Sequence, residues 1–210
     1  MDDPNISWKT KKPNYDAANA LYMKGKTTNH AEGSLEKLVE NLVKTWEMES
    51  THKIDEKDWG TIDKTNYTFN VNGIRSFTIQ DNIRMGNYNM MMYDSPIYDV
   101  SKETNESSHS VFKTAFPTGF AWEVLELYSG PPKVAFKWRH WAEWTGPYRE
   151  HQPTGETIEL YGMCVATVND DLKIQTLDIW YDPNPFLMKL SNIAGGQASQ
   201  TAASKCPAYS

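Results

Sequence analysis

The chain has 210 residues, enough for one domain that buries roughly 70% of its unfolded-chain surface and needs no staple to fold. Twenty-one Lys and Arg stand against 27 Asp and Glu, a formal net charge of −6, and the only basic cluster is the short Lys9, Lys11, Lys12. Nucleic acid and anionic membranes both require concentrated positive charge, so neither is an expected partner.

Residues 1–32 carry Pro4, Pro13 and scattered charge, and read as an extended N-terminal arm with a short helix around Tyr15–Met23. A long helix follows from Ser34, a good N-cap, with Leu35, Leu38, Val39, Leu42 and Trp46 on one face at three-and-four spacing. Tyr67–Val71 alternates like a short strand that stops at Asn72-Gly73. Thr78–Tyr93 is predicted as one helix with Ile79, Ile83, Met90 and Tyr93 inward, and the polar Asp99–His109 as a loop.

From residue 111 the period changes to two. Strands are predicted at Phe120–Tyr128, Val134–Trp144, Thr157–Val168 and Lys173–Tyr181, separated by Gly, Pro, Asn and Asp turns. A closing helix at Pro185–Ile193 precedes an Ala/Gly/Ser/Gln-rich tail over 195–210. Helices first and hairpin-linked strands after them give an α+β fold, with a main domain over 33–194.

Cys164 lies in an apolar strand and reads as a core residue, whereas Cys206 falls in the tail, so no disulfide framework is indicated. No export signal opens the chain and no run of 18 apolar residues occurs, which leaves a cytoplasmic location as the expectation. The five histidines show no metal-ligand spacing, and phosphate-cradling Gly loops and hydrolase elbows are missing, so neither metal nor cofactor is expected.

Two stretches resemble a known family. Glu32–Val39, continued by Lys44-Thr45-Trp46-Glu47-Met48-Glu49 and His52-Lys53, is similar to a helix of plant pathogen-related proteins. Thr114–Asp182, with Ala115-Phe116-Pro117-Thr118-Gly119-Phe120 and Phe136-Lys137-Trp138-Arg139-His140-Trp141, resembles the same group, and Pro153-Thr154-Gly155 resembles the wider SnoaL-like, ketosteroid-isomerase-like superfamily. The resemblance implies a curved antiparallel sheet wrapped around helices, a cone-shaped barrel with one internal cavity for a small hydrophobic molecule, and a homodimer.

The resemblance also carries an acid/base role onto Asp182, nine residues after Lys173, while a histidine frequent in the superfamily falls at Leu177. Asp178, Trp180 and Asp182 share one strand face, so two carboxyls would flank an indole if that face looks inward. His140 is the best-placed histidine for proton transfer, on the face shared by Trp138 and Trp144. Catalytic candidates are therefore Asp182, His140 and Asp178; Trp46, His52, Trp138, Trp144, Tyr161, Met163 and Trp180 are the candidate ligand-binding residues. Three functions fit: a cofactor-free cyclase, isomerase or dehydratase, a non-catalytic binder of an apolar metabolite, and a dimeric interaction module.

Overall fold

The structure, a computed structural model, describes residues 5–92 and 97–191. Helix α1 (Asp16–Gly25) is followed by the long α2 (Leu35–His52), whose N-cap Ser34 accepts from the Lys37 amide at 3.3 Å. The hairpin β1 (Thr68–Val71) and β2 (Arg75–Phe77) turns through Asn72 and Gly73, both at positive φ.

One helix was predicted over Thr78–Tyr93, but there are two, α3 (Ile79–Met85) and α4 (Asn87–Met92), with Tyr93 outside the described residues. Gly86 separates them at φ 80°, a value the helix cannot continue through. The loop expected to reach His109 instead ends at Thr104, where a capping box with Ser107 starts α5 (Asn105–Ala115). Ser108, Phe112 and Ala115 are its buried residues, and the Ser108 hydroxyl is satisfied by the Asn105 carbonyl at 3.0 Å.

Four strands follow close to their expected bounds: β3 (Ala121–Leu127), β4 (Lys133–Glu143), β5 (Thr157–Val168) and β6 (Ile174–Tyr181). Helix α6 (Asn184–Leu190) then closes the fold; Ile193, the tail and Cys206 lie outside the described residues. The sheet order is β2-β1-β6-β5-β4-β3, antiparallel except that β1 and β6 run parallel. Register shifts at Val124/Glu126 and Thr167/Val168 bend the ribbon, as bulges do, so the sheet curves.

The sheet presents Phe136, Trp138, Ala142, Leu160, Cys164, Leu177, Ile179 and Tyr181 to the helices, joined there by Trp46, Met90, Phe112 and Phe186 in one continuous core. Cys164 is free and buried within it. Helix α1 lies on the opposite face, where Leu21 and Tyr22 cover Trp141 and Ala121. The chain after α1 then shields the edge of β3. Thr28 and His30 both bond the Val124 carbonyl, and the Glu40 carboxylate accepts the Val124 amide.

Candidate functional site

Three glutamates of α2 turn away from solvent, and their surroundings separate them. Glu40 accepts from the Tyr22 hydroxyl at 2.7 Å, the Lys44 ammonium at 3.0 Å and the Val124 amide at 3.3 Å. Glu49 accepts from Lys53, the Gly60 amide and both the amide and hydroxyl of Thr61. Burial alone would raise both carboxyls, but these donors outweigh it and hold each below the usual range. Glu47 has no such donors. Its side chain is set deep among protein atoms yet keeps 41% of its surface accessible.

Opposite Glu47 stands His140 of β4, with Nε2 4.0 Å from the Glu47 carboxyl. That gap is too long for a direct hydrogen bond and suits one shared oxygen, from water or a ligand. Phe120 packs on the imidazole at 4.9 Å between ring centres. Aromatic contacts then run outward through Tyr88 of α4, His109 of α5 and His52 at the end of α2 to Tyr15, the N-cap residue of α1. Glu47, Tyr88 and His140 are the most deeply set of these, each still keeping some accessible surface; Tyr15, His52 and His109 are less deeply set. Among the described residues, no protein group hydrogen-bonds the side chain of any of these six. Such a gathering of unmatched polar groups in apolar surroundings is the usual character of a ligand site.

Burial pushes the Glu47 carboxyl up to about 7, against the smaller opposing pull of Lys44. Burial alone pushes the His140 imidazole down to about 4. His52 also falls to about 4, through burial first and then His109, Lys9 and Lys113. The Tyr88 and Tyr15 hydroxyls are raised by burial and then by Glu47. Near neutral pH the pair is thus a carboxyl balanced between its two forms beside a neutral imidazole, a state suited to moving protons in both directions.

The residues singled out from the sequence divide into three groups. His140 and His52 belong to this cluster. Trp46, Trp138 and Trp144 are core: Trp46 donates to the Tyr67 hydroxyl at 2.9 Å, and Trp138 lies across Gly162 against Tyr181. Asp178, Trp180, Asp182, Tyr161 and Met163 are turned to the outer face, which corrects the inward orientation expected of the Asp178–Asp182 face. The apolar Leu177, Ile179 and Tyr181 occupy the inner positions of β6, and the period of two sends their neighbours out. Asp178 accepts from Asn70 at 2.7 Å, and Asp182 accepts from the amide and side chain of Asn184, forming the turn into α6.

Two surface depressions lie elsewhere. One of about 290 Å³ is lined by Ile97, Tyr98, Asp99, Lys102, Glu103 and Arg149, and another of about 210 Å³ lies beside Arg139, Trp141 and Glu159. The Arg and Lys charges in both are already neutralised by Glu103, Asp99, Glu123, Glu159 and Glu143. Among the described residues, no three His, Cys, Asp or Glu are placed to hold a metal ion, and no helix is long and apolar enough to cross a membrane.

No family model matches the chain. A barley (Hordeum vulgare) pathogen-related protein is 40% identical over 202 residues, spanning 93% of this chain and 85% of that protein. The chain belongs to the pathogen-related protein family. Similar solved structures include a SnoaL-like protein of Shewanella denitrificans (10% identity, 72% of this chain and 96% of that one, TM-score 0.43). Another is a Catenulispora acidiphila protein of ketosteroid-isomerase-like fold (10% identity, 67% and 85%, TM-score 0.38). Likenesses this remote say nothing of the chemistry.

Proposed function

We propose that the protein is a cofactor-independent acid/base enzyme that isomerises an enolisable, apolar small molecule inside this cluster. The observation that carries this reading is the Glu47–His140 pair: 4.0 Å apart, deeply set, and displaced in opposite directions from ordinary carboxyl and imidazole behaviour. In the ionised form Glu47 takes a proton from the carbon next to a carbonyl. The C–H electron pair moves into a carbon–carbon double bond and the carbonyl oxygen becomes an enolate. The neutral imidazole of His140 donates an N–H to the oxygen lying between the two side chains. Glu47 then returns the proton to a different carbon, and the enolate reverts to a carbonyl. Aromatic rings of Phe120 and Tyr88 form the walls, which suits a flat apolar substrate.

Solvent deuterium incorporation into a panel of cyclic enones, followed by NMR, tests this. Glu47→Gln is expected to lower the exchange rate by about 10²–10⁴-fold while thermal shifts by the same enones persist. An unchanged rate in Glu47→Gln sinks the reading. Enones that raise the melting temperature without any exchange favour the plain binding protein instead.

The outer sheet face supports a second role, self-association. Tyr161, Met163 and Trp180 stand there 49%, 37% and 43% exposed, with Met163 directly opposite Trp180 across β5 and β6. Apolar side chains clustered on a sheet face are characteristic of interfaces. Sedimentation of the wild type and Met163→Glu tests it: a dimer that Met163→Glu dissociates is expected, and a wild-type monomer at tens of micromolar removes the reading.

A further inference from the structure

We infer that the cluster has a second polar end, formed by His52, His109 and Tyr15 beside the ammonium groups of Lys9 and Lys113, and that this end holds a carboxylate. The substrate is then a flat keto acid whose carbonyl lies at Glu47 and His140. That substrate class rests on the Glu47–His140 pair being the reacting end, whereas the anion site stands on its own residues.

Separate parts of the chain bring these side chains together. His52 ends α2 and His109 lies on α5, their rings edge-on with centres 5.8 Å apart. Tyr15, the N-cap residue of α1, stands edge-on to His52 at 6.1 Å. Lys113 is four residues beyond His109 on the same face of α5. Lys9 is drawn to the end of α2 by its amide on the His52 carbonyl at 2.8 Å and its ammonium on the Ser50 carbonyl at 3.2 Å. Among the described residues no carboxylate is ion-paired with Lys9 or Lys113, and Glu106 acts on Lys9 only from farther off. Burial first, then His109, Lys9 and Lys113, holds the His52 imidazole down to about 4; burial, Lys113 and Lys9 lower that of His109.

Near pH 7 each neutral imidazole can donate an N–H and Tyr15 an O–H, and none of these donors is engaged by a protein acceptor among the described residues. The two ammonium groups set the sign of the guest, favouring a charged oxygen over a neutral carbonyl or hydroxyl. His52, His109 and Tyr15 all keep accessible surface, so a carboxylate settles there without losing all of its water. Spacing sets the length of the guest. Glu47 and His52 are five residues apart on α2, about 7.5 Å along its axis at 1.5 Å per residue. Tyr88 and Phe120 line the interval, with ring centres 6.4 Å apart, and Glu47 acts on the hydroxyls of both Tyr88 and Tyr15. Two fused six-membered rings with an oxygen at one end and a carboxylate at the other match that span and those aromatic walls.

The probes are 6-hydroxy-2-naphthoate and its methyl ester, which share a flat body and a phenol standing for the enol, and differ in charge only at the far end. Titration calorimetry of the full-length protein at pH 7 and low salt is expected to show the acid binding about tenfold more tightly than the ester. The double variant His109→Gln, Lys113→Gln is expected to remove that preference. In the wild type the acid, and not the ester, should raise the pH at which the His52 ring protonates, followed by NMR, because a bound carboxylate favours the imidazolium. An acid that binds no more tightly than the ester, or a preference that survives in the folded double variant, overturns the inference. Should the double variant fail to fold, the His52 titration decides, and a midpoint the acid leaves unmoved overturns it. Glu47→Gln leaves the charge difference between the probes in place and should keep the preference for the acid. A protein that prefers the acid but exchanges no deuterium into enones therefore loses the proposed reaction and retains the anion site.

Discussion

A carboxyl held near pH 7 inside a protein burdens the fold, and Glu47→Gln should reveal that burden as added stability. The folded-state value of about 7 stands above the ordinary 4.5, so between those values the folded chain holds a proton that the unfolded chain has released. Stability is therefore at its reference level below pH 4.5, falls as pH rises through 7, and stays lowered above it. The interval corresponds to ~3 kcal/mol against ionisation. Because 41% of the side chain still touches a space that water can fill, screening reduces this to ~1–2 kcal/mol. Glutamine has the same shape without the ionisation, so at pH 8 the variant should melt about 2–8 °C above the wild type. At pH 4 the two should coincide. Thermal unfolding by circular dichroism from pH 4 to 9 reads both. A Glu47→Gln protein no more stable than wild type at pH 8, or equally stabilised at pH 4, would refute the burial of that carboxyl.

Two further perturbations probe the same framework. His52 and His140 both fall from 6.5 to about 4 in the folded chain, which therefore binds fewer protons than the unfolded chain between those values. The histidines' contribution to stability should drop as pH falls from 6.5 through 4, opposite in sign to that of Glu47, so urea midpoints taken at pH 7, 5 and 4 should decline less towards acid, or rise more, in His140→Phe than in the wild type. At Gly162, an added Cβ would run into the Trp138 ring and sit 2.7 Å from the Trp180 carbonyl oxygen, so Gly162→Ala should cost about 1–3 kcal/mol by chemical denaturation.

The strands were legible because their signal is local. A period of two bounded by Gly, Pro and Asn places β3 to β6 within a residue or so at each end, and the Ser34 cap fixes where α2 begins. The inner face of β6 was legible too, for Leu177, Ile179 and Tyr181 alternate as an apolar set. Weighting the carboxyls Asp178 and Asp182 above that set reversed it. Periodicity on α2 was less informative. Leu38 of its apolar stripe is exposed, whereas Glu40 and Glu49 are buried, because the donors that make their burial possible come from other elements.

Glu47 illustrates why a site resists reading from one chain. Three glutamates within ten positions of one helix have the same intrinsic chemistry. What distinguishes them is whether Tyr22, Val124, Gly60 and Thr61 arrive from elsewhere to accept the charge. Two are neutralised as parts of the scaffold, and the third faces His140 at 4.0 Å. Supplying Glu47 with a donor of its own would bring its carboxyl down as Glu40 and Glu49 are brought down. It would also leave nothing at the centre of the cluster able to exchange a proton at neutral pH. The absence of those donors is what sets Glu47 apart from Glu40 and Glu49, and it becomes visible only once the chain has folded.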